Sequence, residues 1–526
     1  MRAPELEFVP TVPNLLHRSV ERFGDRDHVV SASDRLTFAD AERRSAILAR
    51  RLLADGVGKG SRVGIILPSS PDFVVAFLAV ARIGAISMMF SSTYRPAELR
   101  VAARNADVSV LIAPPNMLGR DFDADLLEAF PELLEQDDPQ LRLLDVPYLR
   151  SIWITGATNL PWAEAVPLDG SLADLVGDVP LAPPSLLAAV ERQVVPADLL
   201  LAIFTSGTSA EPKAVLHTHG TAVRKVHPST GLGLGSSTEG VCVLMAMPFF
   251  WVGGPQSLLG SMHVGSKIVS QERFEPGEAL MLIERERVTH VAGWPTLVDT
   301  LRGHPGYSAA DLSSLVAPSR PPKWFSSKGD PINMGMTETF GMHRNPEYFD
   351  YQVIDPVTGR PVPEGEEGEF CVRGFGLTAG LYRREREEVF DADGWYHTGD
   401  RGYIEEGQIY FTGRYSEMIK SAGANVSPLE VENALISLPG VAAAYVFAIP
   451  HPSRGEEVAA VVVSADGKPL DLDGLRAALR SQMSSFKVPA RIVQREADDV
   501  PRLPSGKPNK RQIAREVAAL DSPVSS

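Results

Sequence analysis

From Phe73 to Phe90 the chain is more apolar than any comparable stretch, and the run is interrupted by Arg82 and Gly84. Ser70 followed by Pro71 is a helix start signal, with a hydroxyl at the N-cap and a proline at the first helical position. A membrane span needs about 20 uninterrupted apolar residues. The segment therefore reads as a helix buried in a protein core. Its neighbours say what kind of core. Thr37 with Asp40 three residues on is a capping-box pattern, and Ile47, Leu48 and Leu52 then recur at helical spacing among Arg43, Arg44, Arg50 and Arg51. Gly56 and Gly58 end that helix, and Arg62–Leu67 is a short apolar strand. Strand and helix alternating in this way predict an α/β domain with a largely parallel sheet.

Residues 114 to about 190 show no steady period. Only Ser151–Thr155 looks like a strand, and the remainder reads as surface elaboration. The α/β pattern resumes at Leu199. Beyond residue 413 the texture changes. Ser427, Pro428 and Glu430 give a second cap signature, followed by Val431, Ala434, Leu435 and Leu438 on one helical face. Val441–Ile449 and Val458–Val463 read as strands and Leu475–Met483 as a helix, enough for a small α+β domain. With 526 residues, two to four domains are expected at about 100–200 residues each.

Lys+Arg 51 against Asp+Glu 66 leaves a net charge of −15, which argues against a general nucleic-acid binder. The N-terminus lacks the apolar core of a signal peptide, and no integral membrane segment is expected. Cys242 and Cys371 cannot build a disulfide framework, so a reducing, cytoplasmic location is expected.

The chemistry concentrates after the strand Leu199–Phe204. Thr205-Ser206-Gly207-Thr208-Ser209-Ala210-Glu211-Pro212-Lys213 offers hydroxyls, a glycine and a cation, which suit phosphate. It is not the common phosphate loop, because G-x-x-x-x-G-K-[ST] is not matched. The segment resembles the signature loop of the adenylate-forming superfamily, the acyl-CoA synthetases, luciferases and adenylation domains. Four further matches follow in the family's order. Gly335-Met336-Thr337-Glu338 resembles its G-x-T-E, and Gly394-Trp395-Tyr396-His397-Thr398-Gly399-Asp400 its G-W-x-x-T-G-D. Gly413-Arg414, Ile419–Gly423 and Ser427–Glu432 resemble its hinge and early C-domain motif, and Pro504-Ser505-Gly506-Lys507 its late lysine motif.

The resemblance implies a large N-terminal domain of mixed sheets and helices, 1–413, a hinge at 414–416 centred on Ser416, and a small mobile α+β domain, 417–526. It implies ATP, Mg²⁺ and coenzyme A as cofactor and co-substrates, a small-molecule carboxylic acid as substrate, and an active site between the domains. In the first half-reaction a carboxylate attacks the α-phosphate of ATP; in the second, a thiol displaces AMP. On this resemblance Lys507, Glu338 and Thr337 are catalytic, with Glu338 the Mg²⁺ ligand. Thr205, Ser206, Gly207, Thr208, Lys213, Gly335, Met336, Asp400 and Arg414 bind the nucleotide. Lys420 and Gly423 line the thiol tunnel, and Phe250, Trp251, Gly253 and Trp294 the acyl pocket, with Pro295 secondary. The residue types suit these tasks. A carboxylate attacking an anionic phosphate needs positioning and charge stabilisation. An ionised Asp400 is acceptor-only, as ribose hydroxyls require.

The sequence departs from the family pattern at several places. Ser416 stands where the hinge usually has Asp or Lys, and Ser209, Ala210 and Ala214 replace Thr, Gly and Gly in the first loop. The adenine-binding stretch between Leu312 and Met334 looks shortened, and Met334 occupies a position usually aromatic. Trp251 stands in a histidine position, where its indole cannot pair with a substrate ammonium. An acid without an α-amino group is therefore expected, and two tryptophans favour a compact, cyclic or medium-length acyl group. An AMP-forming acid–CoA ligase leads. Transfer to an amine or a carrier-protein thiol, and a catalytically inactive nucleotide-binding regulator, stay open. A homodimer is compatible with the chain. His217-Thr218-His219 lacks a third ligand and is not expected to bind metal.

Overall fold

The computed structural model describes residues 3–169, 180–205, 213–232, 235–293, 300–316, 335–342, 347–415, 418–421, 424–451, 455–483, 487–502 and 508–520. Two compact units divide the chain. The first holds Met1–Pro322, Met334–Asp350 and Arg373–Val389; the second holds Tyr351–Val372 and Phe390–Ser526. Arg414, where the hinge is expected to begin, lies within the second.

The first unit is built on two sheets. An eight-stranded sheet runs in the order Gly380–Leu381, Lys213–Thr218, Leu199–Thr205, Ile86–Met89, Arg62–Ile65, Val110–Ala113, Ser151–Ile154, Ala163–Ala165. It is parallel from Leu199–Thr205 outward to Ala163–Ala165, as the strand–helix rhythm predicts, and antiparallel at the other edge. A five-stranded sheet runs His290–Ala292, Cys242–Met245, Lys267–Ser270, Asp27–Val30, Arg35–Thr37 and is parallel except for its last pair. One hydrophobic cluster joins both sheets to the helices Pro71–Arg82 and Gly253–Val264. The first of these helices is the apolar segment read from the sequence. Ser70 caps it by accepting from the Phe73 amide, and every residue from Phe73 to Arg82 is buried. The Thr37–Asp40 capping box forms at the start of the helix Phe38–Ala54.

Arg82 is the interruption that the core must accommodate. Its side chain is 2% exposed and donates to Glu191 at 2.5 Å, to the Glu42 carboxylate at 2.8 Å, and to the Glu42 carbonyl and Ser45 hydroxyl. The guanidinium thus ties three helices together inside the apolar layer. Arg82→Leu removes the cation from the partly exposed Glu42 and leaves the largely buried Glu191 with His17 at 3.2 Å. The expected cost is about 3–5 kcal/mol, read as a lower denaturant midpoint for the first unit's unfolding.

The stretch from 114 to about 190 corrects the expectation of surface elaboration. It contains the helices Phe122–Ala129 and Pro184–Glu191 and two strands at the sheet edge. Phe122, Leu126, Phe130, Leu133, Leu141, Leu143, Val146 and Leu149 are buried in a second cluster. That cluster also takes Leu111, Ala113, Ile152 and Ile154 from the sheet, while Val110, Ile112 and Trp153 belong to the first. Strand residues alternate between faces, so this segment covers one face of the main sheet.

The second unit holds most of a four-stranded sheet ordered Phe349–Ile354, Gly368–Gly374, Tyr396–Glu405, Gln408–Arg414. Its C-terminal part is the expected α+β arrangement. Val446, Val458, Ala460 and Val462 face the helices Pro428–Ile436 and Leu472–Gln482, and Phe447, Ile449, Ala459 and Val461 face Lys510–Ala519. Ser427 caps its helix, but Glu430 turns to Lys487, bonding it at 2.8 Å, rather than back to the cap. Among the described residues no helix is long and apolar enough to cross a membrane. Cys242 and Cys371 are buried free thiols.

Candidate active site

The signature loop is slung between two adjacent strands. Leu199–Thr205 leads into it, Lys213–Thr218 leads out antiparallel, and Thr205 and Lys213 are register partners. Thr205 is half-buried and Lys213 exposed. Candidates Ser206, Gly207 and Thr208 lie outside the described residues, as do Trp294, Ser416, Gly423 and Lys507, the adenine stretch and Met334.

The strand that leaves the loop also supports the next motif. Gly335–Met336 pairs antiparallel with Gly341–Met342, and a single 3₁₀ turn, Thr337–Thr339, joins them. Thr337 and Glu338 are half-buried, while Thr339 and Phe340 are buried. His217 Nε2 donates to the Thr337 carbonyl at 2.7 Å, and its ring packs on Phe340 with centroids 4.9 Å apart. Burial lowers the His217 pKa to about 3, a shift opposed by its bond to Thr337 and aided by Lys225. The imidazole is therefore neutral, with its proton on Nε2. The Thr378 amide donates to the Glu338 carbonyl at 2.6 Å.

The acyl-pocket candidates cluster at the start of the buried helix Gly253–Val264. Phe249 is fully buried, tilted against Phe73 at 5.6 Å, with its amide held by Ser69 Oγ at 2.9 Å. Phe250 is also buried. Trp251 meets it edge-on at 6.1 Å and remains half-exposed to its surroundings. Phe249 and Phe250 thus pack the core, and Trp251 is the aromatic left at its margin. Gly253 opens the helix. The steric requirement falls on Gly254, where a Cβ would lie 2.2 Å from the Phe249 carbonyl oxygen.

The model of the AMP-binding enzyme family matches residues 16–382, well over half of the chain, and that of the AMP-binding enzyme C-terminal domain matches 430–507. The chain belongs to the AMP-binding enzyme family. Among curated relatives it is 31% identical over 510 residues to a feruloyl-CoA synthase of Amycolatopsis sp, covering 91% of this chain and 94% of that protein. It is 30% identical over 532 residues to a salicylyl-CoA synthase / salicylate adenylyltransferase of Streptomyces sp, covering 95% and 92%. In fold it is similar to the anthranilate CoA ligase AuaEII, with a TM-score of 0.77 at 21% identity and 99% of each chain covered.

In this AMP-binding enzyme the Gly394–Asp400 motif lies in the second unit. Asp400 is 5% exposed, and its amide donates to Thr398 Oγ1 at 3.0 Å. Thr398 in turn donates to the Phe370 carbonyl at 2.8 Å, and the Gly399 amide donates to Glu369 at 2.9 Å. Gly399 has φ +70°, a left-handed conformation that glycine adopts without strain. Asp400 and Arg414 are register partners on neighbouring strands, so two residues assigned to the ribose from separate motifs are adjacent along the ladder. Lys420 lies in the strand Ile419–Ser421, paired to Asn425. His217 and His219 are both buried, with His217 Nε2 bonded to Thr337 and His219 Nδ1 accepting from the Val12 amide at 3.2 Å.

Sequence reasoning missed His217, Lys225 and Gln256 as partners of the turn Thr337–Phe340. No local signal marks them: His217 stands beside Thr218 and His219, Lys225 beside Arg224, and Gln256 beside Ser257.

Proposed function

We infer that this AMP-binding enzyme joins a carboxylic acid without an α-amino group to coenzyme A through an acyl-adenylate. It is an AMP-forming acid–CoA ligase. The acid carboxylate oxygen attacks the α-phosphorus of ATP, and pyrophosphate leaves with the electrons of the broken P–O bond. The thiol of coenzyme A then attacks the acyl carbon, gives up its proton, and AMP departs.

Thr337 donates to the α-phosphate, Asp400 and Arg414 hold the ribose, and Lys213 with the Thr205–Thr208 hydroxyls and amides holds the outer phosphates. Lys507 supplies positive charge as the α-phosphate accepts the new bond. Gly335 and Met336 flank the nucleotide, and Lys420 and Gly423 serve the thiol. The C-terminal domain, 417–526, changes its arrangement between half-reactions through the hinge at 414–416. Among the described residues no group of three or more His, Cys, Asp or Glu could hold a metal. Glu338 fits Mg²⁺ as one carboxylate ligand, since Mg²⁺ is commonly held by one or two carboxylates plus substrate phosphates and water. When bound, Mg²⁺ supplies charge neutralisation on the leaving phosphates. Two buried free thiols support a reducing, cytoplasmic location.

The acid is a compact, ring-bearing one. The observation that carries this is Trp251, half-exposed beside the buried Phe250 at the mouth of a fully buried helix. No carboxylate occurs from Phe249 to Val264 to pair with a substrate ammonium. A feruloyl-CoA synthase and a salicylyl-CoA synthase among the relatives support the same class. Pyrophosphate release with benzoate, salicylate, ferulate and octanoate, with and without coenzyme A, tests it. An aromatic acid is expected to exceed octanoate in kcat/KM. Trp251→Ala is expected to shift preference toward bulkier acids by about tenfold, the scale of one shape change in an apolar pocket. An unchanged acid profile would place Trp251 in the core.

A further inference from the structure

The turn Thr337–Phe340 is held from several directions. Its four successive carbonyls each accept a hydrogen bond: Thr337 from His217 Nε2, Glu338 from the Thr378 amide, Thr339 from Lys225 Nζ, and Phe340 from Gln256 Nε2 at 2.7 Å. The three side-chain donors come from three elements, the strand Lys213–Thr218 and the helices His219–Lys225 and Gly253–Val264. All three are buried, at 0%, 0% and 2% exposure.

Two of them are poor choices for stability alone. Lys225 has no carboxylate partner among the described residues. Its Nζ lies 4.6 Å from the Phe349 ring centroid, and burial pushes its pKa well below the ordinary lysine value. His217 Nδ1 is buried with no hydrogen-bond partner among the described residues. The turn they support is itself strained. Phe340, a bulky residue, is fully buried at φ 51°, ψ 52°, in the left-handed region. Strain of this kind persists only where surroundings over-determine the backbone, and it collects at functional sites.

We propose that Lys225, His217 and Gln256 are positioning residues, a buried three-donor clamp that fixes the turn presenting Thr337 and Glu338 to the reaction. The proposal rests on the assignment of those two residues to adenylate formation. The clamp exists for geometry rather than for stability, and the two roles predict opposite outcomes.

Lys225→Met in the full-length enzyme removes one donor and a costly buried amine while keeping the side chain's length. Its Tm is expected to equal or exceed that of the wild type. Acid-dependent ATP–pyrophosphate exchange, run with the best acid of the four-acid panel, is expected to fall in kcat by about tenfold or more, with the KM for ATP moving less than about threefold. Amide hydrogen exchange across 335–342 is expected to accelerate by about tenfold, a readout that needs no substrate. His217→Leu is expected to behave likewise, and His217→Gln, which keeps a donor, to recover part of the rate. A Tm that falls together with kcat, or a kcat within about twofold of wild type, would overturn the clamp. Glu338→Gln is run in parallel. If it exchanges normally, the assignment of the turn fails and the clamp falls with it as a catalytic device. If it is crippled while Lys225→Met is normal, only the clamp fails.

Discussion

Lys507→Ala is expected to lower acid-dependent pyrophosphate release by about 10²–10³ while leaving thiolysis of a supplied acyl-adenylate within about threefold of wild type. The first half-reaction brings an anionic nucleophile to an anionic phosphorus centre, and the charge that accumulates on the α-phosphate oxygens has to be met by a fixed cation. Removing one preorganised donor from such a centre costs about 3–4 kcal/mol. The second half-reaction places its developing charge on an acyl oxygen and loses an AMP phosphate that is already formed, so it has no need of that cation. The two rates are measured separately, by pyrophosphate release and by thioester formation from synthetic acyl-adenylate. Equal loss in both would contradict the division of labour assigned to the C-terminal domain.

Glu338→Gln keeps the shape of the side chain and removes its charge. Its ATP–pyrophosphate exchange is expected to fall by about 100-fold, with the Mg²⁺ concentration for half-maximal rate rising by about tenfold, because Mg²⁺ prefers charged hard oxygen ligands. The folded state is expected to be little affected. The backbone of residue 338 is held by the Thr378 amide and its neighbours by His217 and Lys225, none of which depends on the carboxylate. A Mg²⁺ titration of exchange rate, with Tm as control, checks both parts. An unaltered Mg²⁺ dependence would remove Glu338 from the metal site.

The parts of this molecule that were legible from sequence are those whose cause is local. Ser70, Thr37 and Ser427 cap helices because the hydroxyl acts on an amide three residues away, and that spacing can be read directly. The apolar run 73–82 forced a buried helix whatever surrounded it. The segment 114–190 was illegible because its burial is irregular. Leu133, Leu141 and Leu143 are buried while Leu134 and Leu144 stand 76% and 93% exposed, and no helical or strand period links them. The support of the Thr337–Phe340 turn was hidden for a different reason. Its side-chain donors lie 84 to 120 residues away, and nothing near residue 217, 225 or 256 marks them as partners of a distant turn. Arg82 was visible as an interruption, but its two carboxylates, 40 and 109 residues away, were not.

The most direct measurement is simultaneous quantification of pyrophosphate, AMP and coenzyme A thioester from the purified full-length protein with ATP, Mg²⁺ and each acid of the panel. The account predicts pyrophosphate release that depends on an aromatic acid, and AMP and thioester appearing in equal amounts once coenzyme A is added. Pyrophosphate release independent of every acid, or AMP formed with coenzyme A present but without thioester, would contradict it.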